Sequence, residues 1–458
     1  MNLRQRQHCV TLLSVVLLFM PLANAKPKAD TGHLPLAVFL DAIGDNDAKA
    51  RAAIDRIGKD WHESSAAPVI EMLDFVRNPY VVDEVIAMLA KQSGIPLGEN
   101  TDPWYQWLWS KERPVHPDYA EYKARMYEQI DPRFKEYFQN HPKTLIRLDE
   151  IRWGGVVRDG IPPLKNPKMI AANDAAWLHD DDIIFGVAID GDVRAYPKRI
   201  LAWHEMFKDK IAGREMAGVY CTLCGALVLY DVTINGVQHE LGTSGFLYRS
   251  NKLMYDHATH SMWSTLTGTP VVGPLAGKGI ELKSLFVVTS TWKEWRQRHP
   301  DTQVLSLDTG HRRDYDEGVA YHNYFATDRL MFTVPGHDNR LANKAEVLAL
   351  RTNQAGKESL ALSADFLLAH PVYHDQLARQ NFVVLTDNSG ANRVYESKTI
   401  KFVSWDKDAT VKDSDGAEWQ MDEAALSNAN GARLLRLSAH RAFWFGWHAA
   451  YPQTRLVK

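Results

Sequence analysis

Apolar residues between positions 33 and 149 recur at intervals of three and four, which is the spacing of one buried face of an α-helix. The spacing is clearest over residues 70–76 and 81–89. Short amphipathic segments that follow one another are typical of small helical repeats. The pattern therefore predicts a helical, repeat-like domain over residues 26–150, and we expect this domain to bind a protein partner that the sequence does not identify.

The pattern changes after Ile151, where a connector rich in glycine and proline is followed by short apolar runs that favour β-strands. The predicted elements are a strand over residues 183–189, a helix over 200–207 and two strands over 216–221 and 226–230. The last two strands are joined by the turn Cys221-Thr222-Leu223-Cys224-Gly225. The fold class is thus α+β, a helical-repeat-like segment followed by a β-rich domain.

The β-rich part contains one motif twice. The spacing W-x-x-W-x-x-x-x-P-x-T-x-V/L starts at Trp292 and again at Trp444. A motif repeated at one spacing indicates a degenerate internal duplication. We therefore predict a first β-rich repeat over residues 151–330, which carries the cysteine turn, and a second, cysteine-free repeat over residues 331–458. The second repeat has Thr386-Asp387-Asn388-Ser389-Gly390 in place of the cysteine turn.

Residues 1–25 have the pattern of a secretory signal peptide. Arg4 and Arg6 precede a short apolar run over residues 10–22, and Ala23-Asn24-Ala25 is a small-residue cleavage site. The run is too short for a membrane span, and no later segment has about 18 uninterrupted apolar residues. We therefore predict cleavage after Ala25, a periplasmic or secreted protein, and no membrane span.

The composition narrows the classes of partner and of chemistry. A net charge of −3 with 24% charged and 45% hydrophobic residues is ordinary for a globular protein and gives no basic surface for nucleic acid. Of the three cysteines, Cys9 lies in the predicted signal peptide. Two cysteines three apart in an oxidising compartment, Cys221 and Cys224, are a local disulfide, a thiol redox pair or half of a metal site.

A strand–turn–strand that carries C-x-x-C-G is typical of a metal knuckle, in which both thiolates point to one side. With no other cysteine to complete the shell, we expect further ligands among His204, which precedes the turn, and Met254 and Asp256, which follow it. The leading hypothesis is a mononuclear metal site at Cys221, Cys224 and His204 with Met254 or Asp256 near it. Copper is the first choice because of the histidine and the soft methionine, and zinc is the second. An open coordination position would allow redox or Lewis-acid chemistry.

Two alternatives stay open for the same pair of cysteines. The first is a metal-free thiol–disulfide redox protein. The second is a non-catalytic scaffold whose helical segment binds a partner and whose cysteines form a structural disulfide. The position of the His204 imidazole relative to the two sulfurs separates the metal hypothesis from the other two.

The motifs of the β-rich part resemble the bacterial and archaeal domain of unknown function numbered 3179. The matching segments are Ile151-Arg152-Trp153-Gly154-Gly155, Asp159-Gly160-Ile161-Pro162, Arg194-Ala195-Tyr196-Pro197, His204-Glu205, Tyr220–Gly225, Ser244-Gly245, Met254-Tyr255-Asp256, Thr259, Ser261 and Trp263. The resemblance covers about residues 150–458 and implies an exported protein, often with a helical segment in front, without an established activity. Thr222 replaces the family's usual proline, and His257 and His260 depart from its usual residues.

Overall fold

The computed structural model describes residues 32–352 and 358–458, so the predicted signal peptide lies outside the described residues. Within these ranges no helix combines the length and the apolar character needed to cross a bilayer. Helices and strands both contribute substantially, which confirms the α+β class.

The N-terminal part is built from short helices around an apolar core. The helices are α1 (Leu36–Ala42), α2 (Asp47–Lys59), α3 (Ala66–Met72), α4 (Pro79–Ser93), α5 (Thr101–Trp109), α6 (Tyr119–Tyr127) and α7 (Lys135–Phe138), with 3₁₀ turns at Glu63–Ser65 and Pro132–Phe134. Asn78 caps the N-terminus of α4, and Gly94, with φ +75°, ends it. Trp104 and Leu89 are fully buried in the core of these helices.

The chain from residue 151 to residue 330 is mostly β-structure. Its strands are β1 (Ile151–Trp153), β2 (Leu164–Lys165), β3 (Met169–Ala171), β4 (Ile183–Ile189), β5 (Asp192–Pro197), β6 (Met206–Ile211), β7 (Arg214–Cys221), β8 (Ala226–Asp231), β9 (Thr233–Ile234), β10 (Val237–Gln238), β11 (Leu241–Tyr248), β12 (Asn251–Asp256), β13 (Met262–Ser264), β14 (Pro270–Val272), β15 (Lys283–Leu285), β16 (Val288–Thr291) and β17 (Gln303–Leu305). Its helices are α8 (Lys198–His204), α9 (Trp292–Arg298) and α10 (His322–Phe325).

The predicted helix over residues 200–207 ends earlier than the sequence pattern suggested. Helix α8 stops at His204, because Glu205 adopts a left-handed conformation with φ +54°. Residues 206–211 then form strand β6, in which burial alternates from Phe207 onward, instead of continuing the helix. The strand predictions over 183–189, 216–221 and 226–230 correspond to β4, β7 and β8.

The remaining chain forms a second set of strands and helices. These are β18 (Glu346–Arg351), β19 (Ser359–Ser363), α11 (Ala364–Ala369), β20 (Val372–Leu377), β21 (Gln380–Thr386), β22 (Asn392–Glu396), β23 (Phe402–Trp405), β24 (Thr410–Asp413), β25 (Glu418–Met421), β26 (Ala425–Asn428), β27 (Arg433–Leu435), β28 (His440–Phe443), α12 (Trp444–Ala450) and β29 (Arg455–Val457). Strands β23 to β27 form an antiparallel meander of their own.

The strands pair in the same way in both parts of the chain. Strand β4 pairs antiparallel with β16 and β5, and β5 pairs parallel with β17. Strand β18 pairs antiparallel with β28 and β19, and β19 pairs parallel with β29. The antiparallel strands β6, β7 and β8 likewise match β20, β21 and β22.

The repeated tryptophan motif has the same structural role at both of its positions. Trp295 in α9 donates its indole N–H to the Thr302 hydroxyl at 3.0 Å, and Trp447 in α12 donates to Thr454 at 3.0 Å. All four side chains are buried. The threonine seven residues after the second tryptophan therefore supplies the acceptor that a buried indole N–H requires.

Each set of strands carries a turn that packs against the other set. The cysteine turn shares a core with α12, and a Cβ at Gly446 of α12 would lie 3.2 Å from the Cβ of Cys224. Conversely, the matched turn of the second set packs against the first set. Ala391 packs with the tryptophans of α9, and the Ser389 hydroxyl lies 3.3 Å from that of Ser290. The cysteine turn is thus held between both parts of the β-structure.

Candidate functional site

The cysteine turn joins two central, buried strands. Strand β7 ends at Cys221, residues Thr222–Cys224 form one 3₁₀ turn, and β8 begins at Ala226. Gly225 has φ +60°, and a Cβ there would lie 2.9 Å from the Phe443 ring, so both the backbone conformation and the packing require glycine. The strand–turn–strand arrangement indicated by the sequence is present.

The two cysteines form a disulfide in this turn, with their Cα atoms 5.3 Å apart. Both side chains are buried, and their Sγ atoms lie 3.8 and 3.3 Å from the Ser250 carbonyl oxygen. The two residues differ in their surroundings. Cys221 lines a small cavity, whereas Cys224 packs against Gly446 of α12.

The cavity beside Cys221 has a volume of about 50 Å³. Glu205, Lys252 and Tyr321 contribute polar groups to its lining. Met331 also lines the cavity, and its side chain is half exposed, so it forms the solvent side. A disulfide, a carboxylate, an ammonium and a phenol therefore line one small cavity that is partly open to solvent.

The Glu205 carboxylate is the centre of the polar contacts in this cavity. It accepts a hydrogen bond from Lys252 Nζ at 2.7 Å and one from the Tyr321 hydroxyl at 3.1 Å. Burial, and after it the neighbouring carboxylate, raises the pKa of Tyr321 well above its ordinary value, so the phenol stays protonated and donates. The buried ion pair is thus hydrogen-bonded on both sides of the carboxylate.

The backbone of Glu205 is in a conformation that residues other than glycine rarely adopt. Its φ is +54°, its N–H donates to Leu201 O at 2.7 Å, and its carbonyl accepts from Tyr220 N at 2.9 Å. A left-handed residue other than glycine costs roughly 1–2 kcal/mol. Backbone strain of this kind is concentrated at functional sites, and here it places a carboxylate beside the disulfide.

The predicted ligand His204 does not line this cavity and has both ring nitrogens engaged. Nδ1 donates to the Pro162 carbonyl at 2.9 Å, because a carbonyl can only accept. Nε2 of the neutral ring then accepts from the Tyr315 hydroxyl at 2.6 Å, and the Tyr315 oxygen accepts from Thr309 at 2.7 Å. Burial lowers the pKa of His204 to about 4, consistent with a neutral imidazole in a structural hydrogen-bond chain.

The other two predicted ligands are also engaged elsewhere. Met254 is fully buried in an apolar cluster with Trp263. The Asp256 carboxylate accepts from the backbone N–H groups of Ala258 and Thr259 and lies 3.0 Å from His239 Nδ1. In the part of the chain that the structure describes, no three His, Cys, Asp or Glu side chains converge as a metal site would require. Of the five predicted site residues, the structure therefore brings together the two cysteines.

The ion pair beside Cys221 was not predicted from the sequence. Glu205 belongs to the motif His204-Glu205, in which the sequence pattern favours His204 as the functional residue. Lys252 offers a signal of its own, because it lies within β12, a strand that is buried at every position. A lysine is almost never fully buried unless it is paired, so Lys252 next to the apolar run Leu253-Met254-Tyr255 indicates a buried acidic partner.

Comparison with known proteins gives a family but no characterised relative. No curated protein and no solved structure matches the chain. The model of one family matches residues 158–454, which include the cysteine turn, the ion pair, the first tryptophan motif and the second as far as Thr454. The chain belongs to the family described as "Protein of unknown function (DUF3179)".

Proposed function

We propose that this protein is an exported thiol–disulfide redox protein whose reactive group is the Cys221–Cys224 disulfide. The observation that carries the proposal is the cavity in which Cys221 meets the Glu205–Lys252 ion pair. Disulfides persist in oxidising compartments, which agrees with the predicted signal peptide. A protein or small molecule that carries two thiols is the reductant.

The exchange proceeds in two steps that move two electrons. A thiolate of the reductant attacks Sγ of Cys221, which forms a mixed disulfide and breaks the Cys221–Cys224 bond. Cys224 leaves as a thiolate and takes up a proton. The second thiolate of the reductant then attacks the reductant's other sulfur atom, which is bonded to Cys221 in the mixed disulfide. This step releases Cys221 as a thiolate, which also takes up a proton. The products are two cysteine thiols and one disulfide in the former reductant.

Lys252 has a defined part in this scheme. A positive charge near a cysteine favours the thiolate and lowers its pKa. The ammonium group of Lys252 is held in the cavity by Glu205 and is therefore placed to stabilise the Cys221 thiolate as it leaves.

We also infer that the β-rich part is a duplicated unit, on the matched strand pairings and the two tryptophan–threonine bonds. This inference bears on the alternative of a purely structural disulfide. In the second unit the matched turn is held without cysteine, since the Asp387 carboxylate accepts from the N–H groups of Ser389 and Ala391 and from the Ser389 hydroxyl. A turn of this kind therefore does not need a disulfide as a brace, which favours a chemical role for the cysteines.

The competing hypothesis is a copper or zinc site, and the hydrogen bonds of His204 are the observation that bears on it. To bind a metal held by the cysteines, His204 would have to give up its bond to Tyr315 or to Pro162. The disulfide redox proposal requires no such rearrangement, and we prefer it for that reason.

Two single-cysteine variants test the proposal. Cys224→Ser leaves Cys221 beside the cavity, and Cys221→Ser leaves Cys224 packed against α12 as the matched control. With a small aromatic disulfide as the probe, we expect Cys221 to react at least about tenfold faster than Cys224, because thiol exchange depends on access. Equal rates, or a native disulfide that dithiothreitol reduces only after unfolding, would support the structural brace. Stoichiometric copper or zinc in the reduced protein, lost in His204→Asn, would support the metal site.

A further inference from the structure

A second, much larger cleft lies between the two halves of the β-structure. Its volume is about 810 Å³, within the range of small-molecule sites. Val228 and Ser284 line it from the first half, and the ends of β18, β21 and β22 line it from the second. The cleft does not share a lining residue with the cavity at Cys221, so a ligand site here is independent of the redox proposal.

Basic side chains outnumber acidic ones in the lining of this cleft. Arg351, Arg379 and Lys398 line it, together with one carboxylate, Glu396. Arg351 is held in place because its Nη2 donates to Thr267 O at 3.0 Å and to a carboxylate of Glu281 at 2.9 Å. Arg379 and Lys398 are exposed and can reorient toward a ligand.

The backbone at two of these cations is unfavourable for the residues that occupy it. Arg379 has φ +67° and Lys398 has φ +50°. In the matched hairpin of the first half, between β6 and β7, the position of Arg379 is filled by Gly213 with φ +76°. Glycine adopts this conformation without steric cost, so the arginine at position 379 is contrary to the local preference of the turn.

One buried polar group of the lining lacks a partner. Nε2 of His440 is buried and makes no hydrogen bond to any residue that the structure describes. Buried polar atoms are nearly always hydrogen-bonded, and the exceptions call for an explanation such as a bound molecule. The cleft thus combines an unpaired buried nitrogen with a basic rim.

We propose that this cleft binds a small polyanion through carboxylate or phosphate groups. Arginine recognises both groups through paired N–H donors, and Arg379 can offer such a pair. Arg351, whose Nη2 is engaged by Thr267 and Glu281, adds positive charge on the same cleft. Citrate represents the carboxylate source and pyrophosphate the phosphate source. The full-length mature protein is titrated with each by calorimetry at low ionic strength.

We expect one of the two anions to bind, and Arg379→Gly to weaken that binding by about tenfold, as loss of one charge-assisted contact does. Arg379→Gly restores the residue of the matched hairpin, so its melting temperature should equal or exceed that of the native protein. Lys398→Ala should weaken binding as well, whereas Arg433→Ala, which removes an exposed arginine outside the cleft, should not. Absence of binding by both anions at millimolar concentration, or equal binding by Arg379→Gly, overturns the proposal.

Discussion

The ion pair beside Cys221 allows a quantitative test of how the site is built. Lys252→Met removes the ammonium but keeps much of the side-chain volume, and it leaves the Glu205 carboxylate in the interior. The two side chains are 6% and 10% exposed, so the remaining charge cannot be solvated without opening the structure. Removal of one partner of a buried pair costs about 3–5 kcal/mol, and the Tyr321 hydroxyl offsets part of that cost.

The double variant Lys252→Met/Glu205→Gln isolates the cause. It removes the unpaired charge, so most of the lost free energy of unfolding should return. Lys412 and Glu418 provide the control, because their atoms lie 2.9 Å apart but the side chains are 53% and 59% exposed. Lys412→Met should therefore cost only roughly 0–1 kcal/mol.

Urea unfolding followed by tryptophan fluorescence measures these differences for the full chain. A cost for Lys252→Met no greater than that for Lys412→Met would refute the buried-charge explanation, and so would a double variant as unstable as the single one. The double variant also tests the redox proposal. If Lys252 stabilises the Cys221 thiolate, disulfide exchange should slow in the double variant although its stability is largely restored.

Two further predictions concern buried polar groups. Burial holds the pKa of His204 at about 4, below its ordinary 6.5, so the unfolded chain binds more protons between these values and stability falls as the pH falls through this range. The free energy of unfolding lost through this group should reach about 2 kcal/mol at pH 5. Urea unfolding at pH 7 and pH 5 should therefore show a smaller decrease in stability for His204→Gln than for the native protein. Thr302→Val and Thr454→Val each leave a buried indole N–H without its acceptor and should each cost about 1–3 kcal/mol in thermal unfolding. Clearly unequal costs would contradict the equivalence of Trp295 and Trp447.

The elements that the sequence predicted well are those whose signal is local. Strand β4 follows from the apolar run over residues 183–189, and the turn at Cys221 follows from glycine and the flanking β-rich runs. Helix α8 ends because Glu205 has a left-handed backbone conformation. Glutamate rarely adopts this conformation, so the sequence does not predict it. Contacts between distant segments are still harder to predict from the sequence. The hydrogen-bond partners of His204, for example, are Pro162 and Tyr315.

The two matched turns of the β-structure differ in the buried charges near them, and this difference supports the proposed redox role of the first turn. In the second half, Arg393 is fully buried and its guanidinium contacts Asp387 and Glu423, each at 2.9 Å. In that network the guanidinium groups of Arg393 and Arg436 each pair with a carboxylate inside the core. In the first half the corresponding turn has a disulfide, and the ion pair near it faces a cavity. A cavity at a strained carboxylate leaves room for a reacting group, whereas the carboxylates around Arg393 are already paired with cations in the core.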